Sequence, residues 1–166
     1  SVHGSHRVAN ETTTFAMPET GIGLFPDVGG SYFLPRMDGQ IGMYLALTGA
    51  RLKTVDTLYS GVATHFVPMK DWPELIADLA AAKGVEPVVN RKGEDLPSGF
   101  LADHRASIDR IFANKSVEEI LAALDADHTD WSRATAKTIR AKSPTETKRA
   151  FREVRARFAA CDARLV

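Results

Sequence analysis

The sequence predicts an α/β fold in which a glycine-rich first part with short strands precedes a mostly helical second part. Nine of the twelve glycines lie at or before Gly61, so turns are concentrated early in the chain. Beyond Pro68, apolar residues recur at helical spacing and helix-capping signals become frequent. We therefore divide the chain into a strand-bearing region, residues 1–68, and a helical region, residues 69–166.

Composition excludes several classes of function. The 166 residues have the length of one domain, and 44% of them are hydrophobic, enough for a sizeable core. Twenty-one basic residues balance twenty-one acidic ones, so no global charge points to nucleic acid or to an anionic membrane. No apolar run reaches the roughly 20 residues that span a bilayer. We expect neither nucleic acid nor membrane as a partner, and the single Cys161 fits a reducing compartment.

The first region predicts short elements separated by glycine and proline. Residues 6–10 and 13–17 have strand character, and Pro18 ends the second strand. Three glycine- or proline-bounded stretches are predicted to be helices, residues 31–35, 40–48 and 54–60, and residues 63–67 are predicted to follow as a strand or extended exit. Because Gly29 and Gly30 open the first of these helices, its free amides are expected to face the loop around Asp27.

The second region has stronger helix signals. Asp71 is the expected cap of a helix from Trp72 to Gly84, and residues 84–99 are predicted to be a surface connection. A further helix covers residues 100–112. Three more helix starts follow, which we assign to a capping box at Ser116 and Glu119, to Asp130, and to a second capping box at Ser143 and Glu146.

The last helix is expected to be amphipathic. Its apolar seam contains Phe151, Val154, Phe158, Cys161 and Leu165. The opposite face is basic, and we favour a solvated face over contact with phosphate for its members, which are Lys148, Arg149, Arg152, Arg155 and Arg157.

Two carboxylates stand out in a run otherwise almost free of charge. Glu19 follows the second predicted strand, and Asp27 comes eight positions later in a loop with Phe25, Pro26 and Val28. In a concave apolar site, two carboxylates can divide acid and base work because their environments differ. On spacing alone, a structural role is about as probable: Glu19 as a turn carboxylate and Asp27 as an Asx-turn residue before Gly29.

Other chemistries lack their motifs. The five histidines show no metal-ligand spacing, so no metal site is predicted. Proline replaces the third glycine of a dinucleotide fingerprint at Pro26, and no phosphate-binding P-loop is present. Ser31 and Cys161 lack the local motifs of nucleophiles. Trp72 and Trp131 are expected to be packing anchors.

The run FAMPETGIGLFPDVGGSYFLPR at residues 15–36 closely resembles the enoyl-CoA hydratase/isomerase (crotonase) superfamily. Residues 45–53, 61–67, 116–120 and 143–145 resemble it too, in the same order. The resemblance implies a partial crotonase-like (ClpP/crotonase) fold: the end of a ββα spiral core followed by a mostly helical region. Within the superfamily, Asp27 argues against a typical hydratase, which is similar but has glycine there. It argues less against an isomerase.

The resemblance also implies a reaction. Glu19 and Asp27 would be the two acidic residues that bind substrate and carry out catalysis, in the hydrolysis of a 3-hydroxyacyl-CoA thioester. The expected reaction converts 3-hydroxyisobutyryl-CoA to 3-hydroxyisobutyrate and coenzyme A in valine breakdown. Glu19 would act as nucleophile or as general base, and Asp27 would orient the substrate hydroxyl and assist proton transfer. Alternatives are an enoyl-CoA hydratase or isomerase, and a non-catalytic crotonase-like module.

Three further expectations complete the interpretation. Coenzyme A would be part of the substrate, so no cofactor is expected. Assembly into a homo-oligomer is a further option. The location would be cytoplasmic in a bacterium and mitochondrial in a eukaryote. Both chain ends look cut, so we expect a C-terminal fragment whose oxyanion donors lie upstream of Ser1 and which is inactive or nearly so alone.

Overall fold

The structure is a computed structural model that describes residues 2–81, 84–90 and 97–162. Its contacts divide the chain into two compact units. Unit 1 comprises residues 1–15 and 52–103, and unit 2 comprises residues 16–51 and 104–166. This division differs from the boundary at residue 68, which remains a prediction.

In chain order the described residues form β1 (Val8–Ala9), β2 (Thr14–Phe15), α1 (Gly30–Phe33), α2 (Ile41–Thr48), β3 (Leu52–Lys53), α3 (Thr54–Tyr59), β4 (His65–Phe66), α4 (Trp72–Ala81), α5 (Glu86–Asn90), α6 (Phe100–Phe112), α7 (Val117–Asp127), α8 (Asp130–Arg140) and α9 (Pro144–Asp162). Short 3-10 turns are formed by Glu19–Gly21, Leu34–Arg36 and Met69–Asp71. Among these residues, no helix combines the length and the apolar content that crossing a membrane requires.

Unit 1 is built on two strand pairs. Strand β1 pairs in parallel with β4, and β2 pairs antiparallel with β3. Each strand is two residues long, shorter than the sequence predicts. Strand β3 was not predicted, because a two-residue strand followed directly by a helix is too short to show an alternating pattern. The strand is recognised in the structure by its pairing with Thr14 and Phe15.

A small hydrophobic cluster closes unit 1. Val67, Leu75, Val88 and Val89 are buried together, with Trp72 packed against them. The indole Nε1 of Trp72 donates to the carbonyl of Val67 at 3.0 Å, as expected for a packing anchor.

The predicted surface connection 84–99 is therefore wrong at residues 86–90, which form α5 and bury its two valines. Two adjacent valines carry no helical period, so the sequence did not reveal them. Residues 91–96 of that connection lie outside the described part, as do residues 82–83 before the predicted stop at Gly84.

Helix α2 is the centre of unit 2. All eight of its residues are buried, which an amphipathic helix would not permit. It packs against α8, α9 and the turn Leu34–Arg36. The ring of Tyr44 meets that of Phe112 edge to face, with centroids 5.4 Å apart. Since α2 is enclosed on all sides, it is a rigid base for the segments that precede it.

Two of the predicted helix starts are corrected by the structure. The predicted cap Ser116 accepts the Glu119 amide at 3.1 Å, but the Glu119 carboxylate accepts the Lys115 amide at 2.9 Å instead of closing a capping box. Helix α8 is capped by Thr129, whose reciprocal partner is Ser132, and Asp130 is its first residue. Serine at the third position takes the place that glutamate or glutamine has in the usual capping box.

Helix α9 buries Phe151 and Val154 as predicted, and Phe158 is half-buried. Leu165 and the side chain of Cys161 lie outside the described part. Its basic face is not simply solvated. Lys148 pairs with Glu118 at 2.6 Å, and the guanidinium of Arg149 lies over the ring of Phe25.

Candidate active site

Glu19 opens a 3-10 turn directly after Pro18. Its carbonyl oxygen accepts the amides of Ile22 at 3.0 Å and Leu24 at 2.9 Å, so the backbone folds back on the residue. The side chain is half-buried, and Oε2 is shielded from solvent without a hydrogen-bond partner among the described residues. The hydroxyl oxygen of the neighbouring Thr20 is also buried without a hydrogen-bond partner among the described residues. Buried polar atoms without partners are rare and call for a functional or structural explanation.

The end of α2 supports this turn. Gly49, with φ of 61°, ends the helix in the left-handed region. An added Cβ there would lie 3.2 Å from the carbonyl oxygen of Met17 and 3.3 Å from Cα of Pro18. Glycine therefore lets the two backbones approach, and the Glu19 turn rests on the fully buried helix.

Lys142, just after α8, is a cation beside the same turn. An added Cβ at Gly21 or at Gly49 would lie 3.4 Å from its Nζ. Partial burial lowers the pKa of Lys142 because it penalises the charged ammonium. Sequence reasoning did not single out this lysine, since only the packing of residues distant in the sequence places it there.

Asp27 begins a tight turn at the other end of the loop. Its carbonyl oxygen accepts the Gly30 amide at 2.6 Å. Val28 and Gly29 both have positive φ, 45° and 85°, as in the hairpin-type turns that favour glycine and asparagine. A β-branched residue in this region is strained, so the turn holds Val28 in an unfavourable conformation.

The carboxylate of Asp27 is exposed and makes no hydrogen bond or ion pair with another described residue. The backbone therefore closes this turn, and the Asx-turn alternative has no support here. The expected apolar enclosure is also absent around Asp27, because Val28 is 83% exposed. Helix α1 is only four residues long, and its first amide bonds to the Asp27 carbonyl rather than remaining free.

The loop between the two acids presents apolar side chains. Ile22 is 74% exposed and Leu24 is 48% exposed, while Phe25 is half-buried and Pro26 is buried. A Cβ added at Gly30 would lie 2.9 Å from Pro26, so the proline packs tightly against the start of α1. The guanidinium carbon of Arg149 lies 4.2 Å from the centroid of the Phe25 ring.

The two carboxylates thus lie at the two ends of one loop of unit 2, in different environments. One oxygen of Glu19 is sheltered and has no hydrogen-bond partner among the described residues, which suits direct action on a substrate carbonyl or on a water molecule. Asp27 is accessible and unpaired, which suits binding a substrate hydroxyl. Among residues 2–81, 84–90 and 97–162, no group of His, Cys, Asp or Glu side chains is arranged to hold a metal ion.

Comparison with known proteins gives the family. The model of the enoyl-CoA hydratase/isomerase family matches residues 1–163, nearly the whole chain. The chain belongs to the enoyl-CoA hydratase/isomerase family. Its fold is accordingly part of the crotonase fold, with few strands and a largely helical remainder.

Individual relatives refine the picture. The chain is 45% identical to the mitochondrial 3-hydroxyisobutyryl-CoA hydrolase of Xenopus tropicalis, over 93% of this chain and 43% of that protein. A carnitinyl-CoA dehydratase from Mycobacterium thermoresistibile matches with a TM-score of 0.88 and 35% identity, over 95% of this chain and 46% of its own. An enoyl-CoA hydratase from Rhodobacter sphaeroides matches with a TM-score of 0.83 and 37% identity, over 94% and 44%. The chain spans less than half the length of these relatives.

Proposed function

We propose that this chain is the part of a 3-hydroxyisobutyryl-CoA hydrolase that carries its two acidic site residues, Glu19 and Asp27. The observation that carries the proposal is the sheltered Oε2 of Glu19, which has no partner among the described residues, at the start of the loop that ends in Asp27. A buried carboxylate oxygen without a partner costs stability, so its presence calls for a functional reason. Identity of 45% to a protein of that name supports the choice of reaction.

The main competitor is hydration or dehydration of an enoyl-CoA. The two solved structures carry such names, and their fold similarity is high. Their sequence identities, 35% and 37%, are lower than the 45% found with the hydrolase. Asp27 also favours hydrolysis, since an exposed carboxylate can bind the hydroxyl of a 3-hydroxyacyl group and a glycine cannot.

The chemistry assigns one task to each acid. Glu19 attacks the thioester carbonyl to form a mixed anhydride, or it takes a proton from the water that attacks; both routes remain open. Asp27 orients the substrate hydroxyl and assists proton transfer. Two backbone N–H groups would stabilise the oxyanion, and the resemblance assigns them to sequence upstream of Ser1.

Partners and location belong to the same proposal. The substrate is an acyl-CoA thioester in which coenzyme A is the leaving group, so the reaction needs no further cofactor. Assembly into a homo-oligomer is compatible with this proposal. The Xenopus tropicalis relative is named as mitochondrial; we propose a mitochondrial location if the source is a eukaryote and a cytoplasmic one if it is a bacterium.

The test is an assay of the complete gene product with two substrates. Free thiol is followed with 3-hydroxyisobutyryl-CoA and with crotonyl-CoA, and loss of the enoyl absorbance is followed with the second. Thiol release from the hydroxyacyl substrate alone supports the hydrolase. Loss of enoyl absorbance without thiol release would establish the hydratase instead.

Matched variants connect the activity to the site. Glu19→Gln and Asp27→Asn should each lower kcat by roughly a hundredfold or more, the usual scale for a residue in proton transfer. Asp38→Asn, at an exposed carboxylate of unit 2, and Glu146→Gln should leave kcat within about twofold of wild type. If Glu19→Gln and Asp27→Asn leave hydrolysis and acyl-CoA binding intact, the result supports the alternative that this chain is a non-catalytic crotonase-like module. The 166 residues alone, assayed in parallel, should be inactive or nearly so.

An isotope experiment separates the two roles of Glu19. During many turnovers in ¹⁸O-labelled water, an anhydride route exchanges oxygen into the Glu19 carboxylate whenever water attacks the enzyme side of the anhydride. Mass spectrometry of the peptide that contains Glu19 would detect this label. A labelled peptide supports the anhydride route, whereas an unlabelled one, with all label in the product acid, supports general-base catalysis or an anhydride that water opens only at the substrate carbonyl.

A further inference from the structure

The loop that joins the two candidate acids has few backbone restraints. The amides of Ile22 and Leu24 are tied to Glu19, and the Gly30 amide is tied to Asp27. The other amides of the loop donate no hydrogen bond to a described residue; they are those of Gly23, Phe25, Asp27, Val28 and Gly29. The position of Asp27 therefore depends on side chains that anchor the loop.

Two side chains provide this anchorage. Pro26 is buried against Gly30, and Phe25 is half-buried. The flanking Leu24 and Val28 are largely exposed and contribute little. Phe25 is thus the one aromatic anchor between the two acids, placed two residues before Asp27.

Arg149 covers this anchor from helix α9. Its guanidinium carbon lies 4.2 Å from the ring centroid, well inside the range of a cation–π interaction. Arg149 makes no ion pair or hydrogen bond with another described residue. The interaction that its guanidinium makes in that part of the chain is the contact with the ring of Phe25. Helix α9 itself packs on α1, on α2 and on the turn Glu19–Gly21, so the cation is held on a firm element.

We propose that Arg149 is a positioning residue for the reaction: its guanidinium, stacked on Phe25, fixes the loop that carries Asp27 relative to Glu19. The inference rests on the proposed function, since it assigns a task within that site. It explains why an arginine on an exposed helix face meets a phenylalanine instead of an acid. Small displacements of a positioned catalytic group lower the rate strongly while leaving ground-state binding less affected.

The test uses the complete gene product and a double-mutant cycle. Arg149→Met removes the cation and keeps an apolar chain, whereas Phe25→Leu removes the aromatic face and keeps bulk. Each should lower kcat by about three- to tenfold with KM changed less than twofold, and the double variant should be no slower than the slower single variant. Phe25→Tyr and Arg149→Lys should retain more activity than Phe25→Leu and Arg149→Met. Arg157→Met, an exposed arginine farther along α9, is the matched control and should match wild type.

Amide hydrogen exchange reads the loop without using activity. In Arg149→Met, the amides of Ile22, Leu24 and Gly30 should exchange faster than in wild type and in Arg157→Met. This measurement keeps the inference separate from the proposed function. If the wild-type protein hydrolyses no acyl-CoA, the proposed function fails, and faster exchange still supports Arg149 as the residue that holds the loop.

Three results would overturn the inference. One is an Arg149→Met protein whose kcat lies within twofold of wild type in an active enzyme. Another is full additivity of Phe25→Leu and Arg149→Met in the logarithm of kcat/KM, which would show that the two side chains act independently. The third is loop exchange in Arg149→Met that equals wild type, whatever the activity.

Discussion

Gly42 lies against the backbone of Leu34 so closely that a Cβ on Gly42 would be 1.8 Å from the Leu34 carbonyl oxygen. The contact joins the buried helix α2 to the turn Leu34–Arg36, and it involves backbone that cannot rotate away. The distance is far below any real contact of a Cβ atom. Glycine at this position therefore sets how closely α2 approaches the segment that follows the Asp27 loop.

Gly42→Ala should destabilise the protein in spite of alanine's better helix propensity. Alanine in a helix gains about 1 kcal/mol over glycine, but separating α2 from the Leu34 backbone disturbs a packed core, which costs more. We expect a net loss of about 2 kcal/mol or more in the free energy of unfolding, measured by urea denaturation. Gly84→Ala is the control, because its nearest neighbour would be 4.0 Å away. A Gly42→Ala protein as stable as this control would contradict the close approach.

The parts of the fold that the sequence reveals are those encoded locally. The helices α2, α6 and α7 and the stop at Gly49 are confirmed, since each depends on residues within one element. Strand β3 and helix α5 were missed for the opposite reason. Strand β3 is defined by its pairing with β2, and helix α5 by the packing of its valines against Val67 and Leu75. A local sequence pattern contains neither of these partners.

The candidate site divides in the same way. Glu19 and Asp27 lie within a single short run, and the resemblance of that run to the enoyl-CoA hydratase/isomerase superfamily selected them as candidates. Their different exposure, the strained Val28 and the contact of Arg149 with Phe25 were not visible in the sequence. In the sequence, Arg149 cannot be distinguished from the other basic residues on the polar face of α9, because only the folded structure shows that it lies over an aromatic ring.

Val28→Asn should stabilise the protein. Val28 has φ of 45° and is 83% exposed, so valine bears the strain of the left-handed region with little packing in return. Asparagine tolerates this conformation, and we expect a gain of about 0.5–1 kcal/mol in the free energy of unfolding. Val85→Asn serves as the control, since Val85 is also exposed and has no positive φ. Because the turn keeps its shape, kcat should not change; a less stable Val28→Asn protein would show that the strain is absent.

Glu19→Gln should lower kcat by roughly a hundredfold or more without loss of stability. Its Oε2 is buried without a partner among the described residues, so replacing the carboxyl group with an amide of the same shape breaks no hydrogen bond of that atom there. We expect the free energy of unfolding to stay within about 0.5 kcal/mol of wild type or to rise, as is common for residues kept for function.

Asp109→Asn is the contrasting variant for this prediction. One oxygen of Asp109 accepts the Gln40 amide at 2.7 Å, and the other accepts Nε of Arg105 at 2.6 Å. Loss of the charge weakens both bonds, so we expect a cost of about 1–2 kcal/mol. If Glu19→Gln destabilises as much as Asp109→Asn in chemical unfolding, Glu19 has a structural partner and the argument from its free oxygen fails.

Lys142 should make stability rise with pH in the alkaline range. Partial burial lowers its pKa in the folded protein from the ordinary 10.5, so the unfolded chain binds the proton more tightly. Below the lowered pKa the folded state bears the full cost of the buried ammonium, and the cost disappears as pH rises through the lowered pKa toward 10.5. Lys142→Met removes the titrating group. The variant should therefore be more stable relative to wild type at pH 8 than at pH 11.

Urea unfolding of wild type, Lys142→Met and Lys137→Met across this range isolates the effect. Lys137→Met, at an exposed position on α8, is the control for removing a lysine side chain. Subtracting the wild-type curve cancels the titration of all other groups, because they are common to both proteins. A difference between Lys142→Met and wild type that does not change with pH would mean that the Lys142 ammonium is fully solvated beside the Glu19 turn.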